Sequence, residues 1–179
     1  MARSTFQGPV RSLGGIYQQG PAAVVEITSS TTLDPVAHAG RIISVGGSLA
    51  ANVVLTLPSI NTSTNSITSG PGQDPNTLNN EGVVYTIWVP TTISTSSLKI
   101  GTDTTDKFVG SVISVDTDSS GAVVGFTAAS SNDFINLNGT TTGGVAGTWI
   151  QIVAIAANKY MVTGSVLGSG VVATPFADS

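Results

Sequence analysis

The chain has 179 residues, a net charge of −4 and no cysteine, and only 9% of its residues are charged, against about 25% in an ordinary soluble domain. Disulfides and thiolate metal sites are therefore excluded. No eighteen-residue apolar run suits a membrane-spanning helix, and the acidic balance argues against nucleic acid as a partner. Ser, Thr, Asn and Gly stand where charges would, beside 40% hydrophobic residues and a mean hydropathy of +0.31. A freely diffusing monomer needs charge to stay apart from its copies. The composition points to a structural or interaction protein in an assembly, with an enzyme as the rival class.

Residues 1–22 read as an extended N-terminal arm. Gly8, Pro9, Gly14, Gly15, Gly20 and Pro21 prevent a helix there. Arg3 and Arg11 are the only charges from Met1 to Val25, whereas Arg41, Lys99, Lys107, Lys159 and all ten acids follow. Spaced apolar residues (Phe6, Val10, Leu13, Ile16, Tyr17), with Pro9 among them, would anchor such an arm in pockets of a partner. The opening residues have no apolar stretch of the secretory kind.

Residues 23–179 read as one domain made of strands. Strands are expected at Ala22–Ile27, at Arg41–Val45 before Gly46-Gly47, and at Asn52–Leu57 before Pro58. Ile60–Gly82 is a long loop of turn-forming residues, of a length that is usually functional or mobile. Strands resume at Val83–Val89, Leu98–Ile100 and Phe108–Val115, the last with a two-residue alternation. Asp116–Gly121 turns the chain into Ala122–Phe126. Phe134–Leu137 precedes the tight-turn pair Asn138-Gly139. Thr148–Ile155 and Lys159–Gly164 form a hairpin around Ala156-Ala157-Asn158. No segment keeps a 3.6-residue apolar period and no internal repeat is evident. The expected fold is all-β: an antiparallel β-sandwich, jelly-roll-like, with the extended N-terminal arm.

The chemical inventory is nearly empty. His38 is the single histidine, and no Gly-x-Ser-x-Gly elbow presents a serine to it. A turn histidine accounts for it. Asp116–Gly121 has oxygens at alternating positions and Gly sixth, as a calcium loop does, but Thr127 stands where the bidentate Glu belongs, and a strand-connecting turn explains the same residues. Gly46-Gly47-Ser48 and Thr142-Gly143-Gly144 lack the Lys and following helix of a phosphate loop. Trp88, Trp149, Tyr85 and Tyr160 would serve either as a sugar platform or as core. No catalytic residue, metal or cofactor is expected.

The leader Met1–Ser12, the run His38–Ile43 followed by Val54–Pro58, the strand Gly82–Val89, Phe108–Ser111 and the closing hairpin Gly147–Gly164 together resemble virion structural proteins of tailed bacteriophages, marine phages (cyanophage-like) above all. The absence of a coiled-coil heptad or repetitive shaft favours the capsid decoration (cement) type over a fibre. The resemblance implies a β-sandwich, commonly a homotrimer, on the outer capsid surface of the virion, with the major capsid protein as partner. Arg3, Phe6, Pro9, Val10, Arg11, Leu13, Ile16 and Tyr17 are the expected capsid-contact arm. A tail or baseplate adaptor, a fibre-like virion protein and a carbohydrate-binding module on the virion are the alternatives.

Overall fold

The computed structural model describes residues 13, 19–63, 79–118 and 121–178. Among them are one 3-10 turn, Pro21–Ala23, and twelve strands: β1 Val24–Glu26, β2 Thr31–Thr32, β3 Ile42–Ser44, β4 Val53–Thr56, β5 Val84–Trp88, β6 Leu98–Gly101, β7 Lys107–Asp116, β8 Val123–Thr127, β9 Phe134–Leu137, β10 Trp149–Ala156, β11 Lys159–Gly168 and β12 Phe176–Ala177. They form a seven-stranded sheet of order β1-β3-β5-β10-β11-β7-β8 and a five-stranded sheet of order β12-β9-β6-β4-β2. The protein is all-β, as its turn chemistry predicts.

The expected antiparallel pattern is corrected. Both sheets are mixed. β1, β3 and β5 run parallel, as do β2, β4 and β6, and β11 runs parallel to β7. The reason lies in the path of the chain. From β1 to β7 each strand lies in the opposite sheet from the one before it. Same-sheet neighbours are therefore two strands apart in sequence, and the intervening strand carries the chain back to begin the next one in the same direction. A parallel pair always needs such a crossover, and here a strand of the other sheet supplies it rather than a helix.

Both sheets contribute to one hydrophobic cluster. In the five-stranded sheet the inward rungs are Val53–Leu98–Leu137 and Leu55–Ile100–Ile135–Phe176. In the seven-stranded sheet they are Ile43–Ile87–Ile150 and Tyr85–Ile152–Val162. Of these, only Val53, Ile87, Val162 and Phe176 retain any exposure, none above 6%. At roughly 1.5–3 kcal/mol for each fully buried large aliphatic or aromatic side chain, these rungs dominate the stability. Tyr160 packs tilted against Phe108, ring centroids 6.5 Å apart. Its hydroxyl donates to the Pro58 carbonyl at 2.5 Å, joining the seven-stranded sheet to the segment that leaves β4. Gly139 shows why Asn138-Gly139 turns: its φ is +77°, and a Cβ there would collide with the Ile93 carbonyl.

The long Ile60–Gly82 loop has a clamped base. The N–H of Asn80 donates to the Asn61 carbonyl at 3.0 Å, and the N–H of Asn61 donates to Asn80 Oδ1 at 2.8 Å. Asn80 Nδ2 donates to the Ser59 carbonyl at 2.9 Å, and Asn80 is only 2% exposed. The two ends are thus held together independently of what lies between them. Replacing residues 64–78 by three glycines is expected to keep the fold and to raise the melting temperature by about 2–4 °C, because shortening a closed loop about threefold saves on the order of 1 kcal/mol. Asn80→Ala removes the clamp and leaves buried groups without partners, so it should cost about 2 kcal/mol, a fall of roughly 4–8 °C in calorimetry.

Candidate interaction surface

Of the expected contact arm, Arg3, Phe6, Pro9, Val10, Arg11, Ile16 and Tyr17 lie outside the described residues, and Leu13 is described and exposed. What the structure does present is the outer face of the seven-stranded sheet. The register places its outward side chains in rows. One row is Val24–Ile42–Thr86–Gln151–Thr163, Ser111–Thr127 is a separate pair on β7 and β8, and the next full row is Glu26–Ser44–Trp88–Trp149–Ser165–Ile113–Gly125. A third is Val84–Val153–Met161–Val109. Glu26, at the β1 edge, is the one charge in these rows. Strand and rung spacings give a patch about 29 Å by about 20 Å, on the order of 600 Å².

Trp88 and Trp149 stand directly opposite each other on adjacent antiparallel strands and are each 39% exposed. Tyr85 and Tyr160, grouped with them in the sequence as possible platform residues, are core instead. Burial pushes both hydroxyls well above the ordinary tyrosine range, with the Asp34 carboxylate adding to the effect on Tyr85 and Tyr85, Asp106 and Asp103 adding to that on Tyr160. Both hydroxyls therefore stay protonated across the ordinary pH range. The signal that separates the two pairs is parity: Tyr85 and Trp88 are an odd number apart on one strand, so they face opposite ways.

The polar side chains elsewhere act as staples. The N–H of Asp34 donates to His38 Nδ1 at 3.0 Å, and the N–H of Ala37 donates to Asp34 Oδ1 at 2.7 Å. In a Ser-His-Asp triad Nδ1 carries the proton and donates to the carboxylate. Here Nδ1 accepts from the Asp34 N–H and lies 3.5 Å from Asp34 Oδ2, so these contacts of His38 close a turn. At the Asp116 turn the N–H of Asp118 donates to Asp116 Oδ1, and Asp118 Oδ2 accepts from the N–H of Gly170. Ser119 and Ser120 lie outside the described residues. Among the described residues no group of three His, Asp or Glu side chains is placed to hold a metal ion. Lys107 pairs with the buried Asp133 at 2.9 Å.

Two acids brace the loop base. Asp106 Oδ2 accepts from the N–H of Ile60 at 2.9 Å, and Asp103 Oδ2 accepts from the Ser59 hydroxyl at 2.6 Å. Burial raises the Asp106 carboxyl above the usual range; the Ile60 N–H opposes this and the Asp103 carboxylate reinforces it. Burial acts on Asp103 too, but the N–H groups of Asp106 and Thr105 and the Ser59 hydroxyl outweigh it and hold that carboxyl low.

No protein-family model matches the chain, nor does any curated protein or any solved structure.

The two acids titrate with opposite sign. The folded Asp106 carboxyl binds its proton more readily than the unfolded one, so its charge costs stability near neutrality. Asp106→Asn should be stabilising there, with the advantage gone below about pH 3.9, where the unfolded carboxyl is also protonated. Asp103 is depressed, so Asp103→Asn should destabilise near neutrality and converge on the parent as the pH falls below about 3.9 and through the folded-state value. Urea unfolding at both ends of this range measures each difference.

Proposed function

We propose that the protein is a non-enzymatic decoration (cement) protein of a tailed-phage head, its two sheets stacked as a β-sandwich that sits on the major capsid protein. The observation that carries this reading is the broad outer sheet face, whose central rows hold one edge carboxylate and two opposed tryptophans, with Lys159 and Lys107 on the rung beyond them. Such a face is poorly suited to lifelong exposure and well suited to a partner. Its area is near the ~800 Å² that one side of a standard interface covers. Tryptophans are the side chains most often found at the centre of such interfaces. The leader, with Arg3 and Arg11 and its apolar anchors, would add a second contact to the shell. Copies are expected to associate there, as trimers in the proteins the sequence resembles. The mechanism is mechanical: contacts spanning capsid subunits must be broken before the shell can expand, and repetition adds avidity.

A second reading has its own observation. Trp88 and Trp149, with Thr86, Gln151, Thr163 and Ser165 around them, would also stack on a neutral glycan. A glycan array with the purified protein distinguishes the two.

Electron microscopy of purified particles tests the main reading: density on the head surface supports it, and density only at the tail sinks it. The double variant Trp88→Ser, Trp149→Ser should fold normally, because both rings lie on the outer face. It should bind stripped heads at least about tenfold more weakly, the loss of ~1.4 kcal/mol or more expected of a central anchor. Deleting residues 2–20 should also weaken binding while the strands remain folded.

A further inference from the structure

The seven-stranded sheet ends on one side in β8, and this edge differs from the others. The remaining edge strands, β1, β2 and β12, have three, two and two residues. β8 has five, Val-Val-Gly-Phe-Thr, paired with β7 in unbroken register. Exposed edges are ordinarily blunted by a charge, a proline, a bulge or shortness. β8 has none of these.

The ladder fixes which backbone groups reach outward. The N–H of Asp116 donates to the Ala122 carbonyl at 2.8 Å, and the N–H of Ala128 donates to the Gly110 carbonyl at 3.0 Å. Hydrogen-bonded pairs alternate along an antiparallel ladder. Val124 and Phe126 therefore bond to β7, whereas the N–H and C=O of Val123, Gly125 and Thr127 point to the open edge.

We propose that β8 pairs with β8 of a second copy, antiparallel, across a two-fold axis at Gly125. Every outward residue then meets an outward residue: Gly125 meets Gly125, and Val123 meets Thr127 in both directions. A two-fold contact must be self-complementary in this way. Charge selects the antiparallel orientation. Asp116 and Asp118 lie beside the Val123 end of the strand, and this pairing sets them against the partner's Thr127-Ala128-Ala129 end. A parallel pairing would bring the acids of two net-negative copies together. On the inner face a hollow of about 430 Å³, lined in part by Ala122, Val124, Val171 and Val172, flanks β8. The partner's Phe126 falls opposite Val124 at this hollow, and the arrangement repeats by symmetry. Gly125 leaves the axis clear, since a Cβ there would meet nothing within 4 Å.

The contact is small. A five-residue strand is about 17 Å long, so the pair covers much less than a standard interface. It should form in free solution only on the order of 100 µM or above, and readily where copies are held side by side. The inference goes beyond the capsid reading and is tested without capsids, so each can fail alone.

Sedimentation equilibrium of the purified full chain up to ~1 mM should show monomer passing to dimer. Gly125→Pro removes one outward N–H and none that serves β7, so it should remain folded by circular dichroism and monomeric throughout. Gly125→Ala keeps the N–H and should dimerise like the parent. Should Gly125→Pro fail to fold, hydrogen exchange on the parent decides: the amides of Val123, Gly125 and Thr127 should gain protection as concentration rises, while those of Val124 and Phe126 do not change. A monomer at every concentration, a dimer indifferent to Gly125→Pro, or exchange at the three amides independent of concentration would each overturn the proposal. So would loss of the dimer on deleting residues 2–18, which would place the leader in the edge instead.

Discussion

The alternation of the chain between two sheets is the constraint from which the rest follows. Because β1 to β7 change sheet at every step, no two consecutive strands within that stretch can pair with each other. Pairing is delayed by a full turn, and Ile42 finds Thr86 rather than a residue nearby. Each crossing must leave its sheet cleanly, which is what Gly46-Gly47, Pro58 and Pro90 do after β3, β4 and β5. The side chains pointing inward from both sheets then have only one place to go, and they make one cluster. The Tyr160 hydroxyl on the Pro58 carbonyl marks the spot where this path is most demanding. There the β4 exit, the base of the long loop and the seven-stranded sheet meet, and Asp103, Asp106 and Asn80 satisfy the backbone groups that the crossing would otherwise strand.

Much of this was legible from residues alone, and the limits have physical causes. β9 falls on Phe134–Leu137 as expected, and the other long strands begin and end within a few residues of their apolar runs. Turn chemistry placed the β10–β11 connection, where Asn158 takes a φ of +61°. β2 and β12 were missed because two-residue strands carry no period. Direction was missed for a different reason. Turn residues announce a reversal, but a crossover through another sheet is made of the same Gly, Pro, Ser and Asn, and nothing local separates the two. Propensity alone ends β11 at Gly164, yet it runs to Gly168, because pairing with β7 carries it past that glycine.

The candidate surface was less legible than the fold. The expected arm rests on spaced anchors and two arginines, and those anchors other than Leu13 lie outside the described residues. The outer face was within reach, since the parity of Tyr85, Ile87 against Thr86, Trp88 sorts core from surface on a single strand. Which strands lie beside β5 decides whether Trp88 stands alone or opposite a second tryptophan, and that is a matter of topology, not of local sequence. Only the register brings Trp149, Gln151 and Thr86 into one patch.

Low charge acquires a more specific meaning once the fold is known. The described acids sit mostly in turns and at the loop base, and the bases are few. Large stretches of the seven-stranded sheet are therefore left without the ionic groups that keep copies apart. Two kinds of exposed surface result, with different demands on a partner. The flat face offers side chains, so it selects by shape and apolar contact. The β8 edge offers backbone groups, so it accepts a strand whose register matches and is otherwise indifferent to sequence. A face with few charges and an unblunted edge on one sheet would be a hazard in a protein that diffuses freely. On the capsid reading proposed above they would be complementary: the face would set orientation on the shell, and orientation would limit which edges can meet.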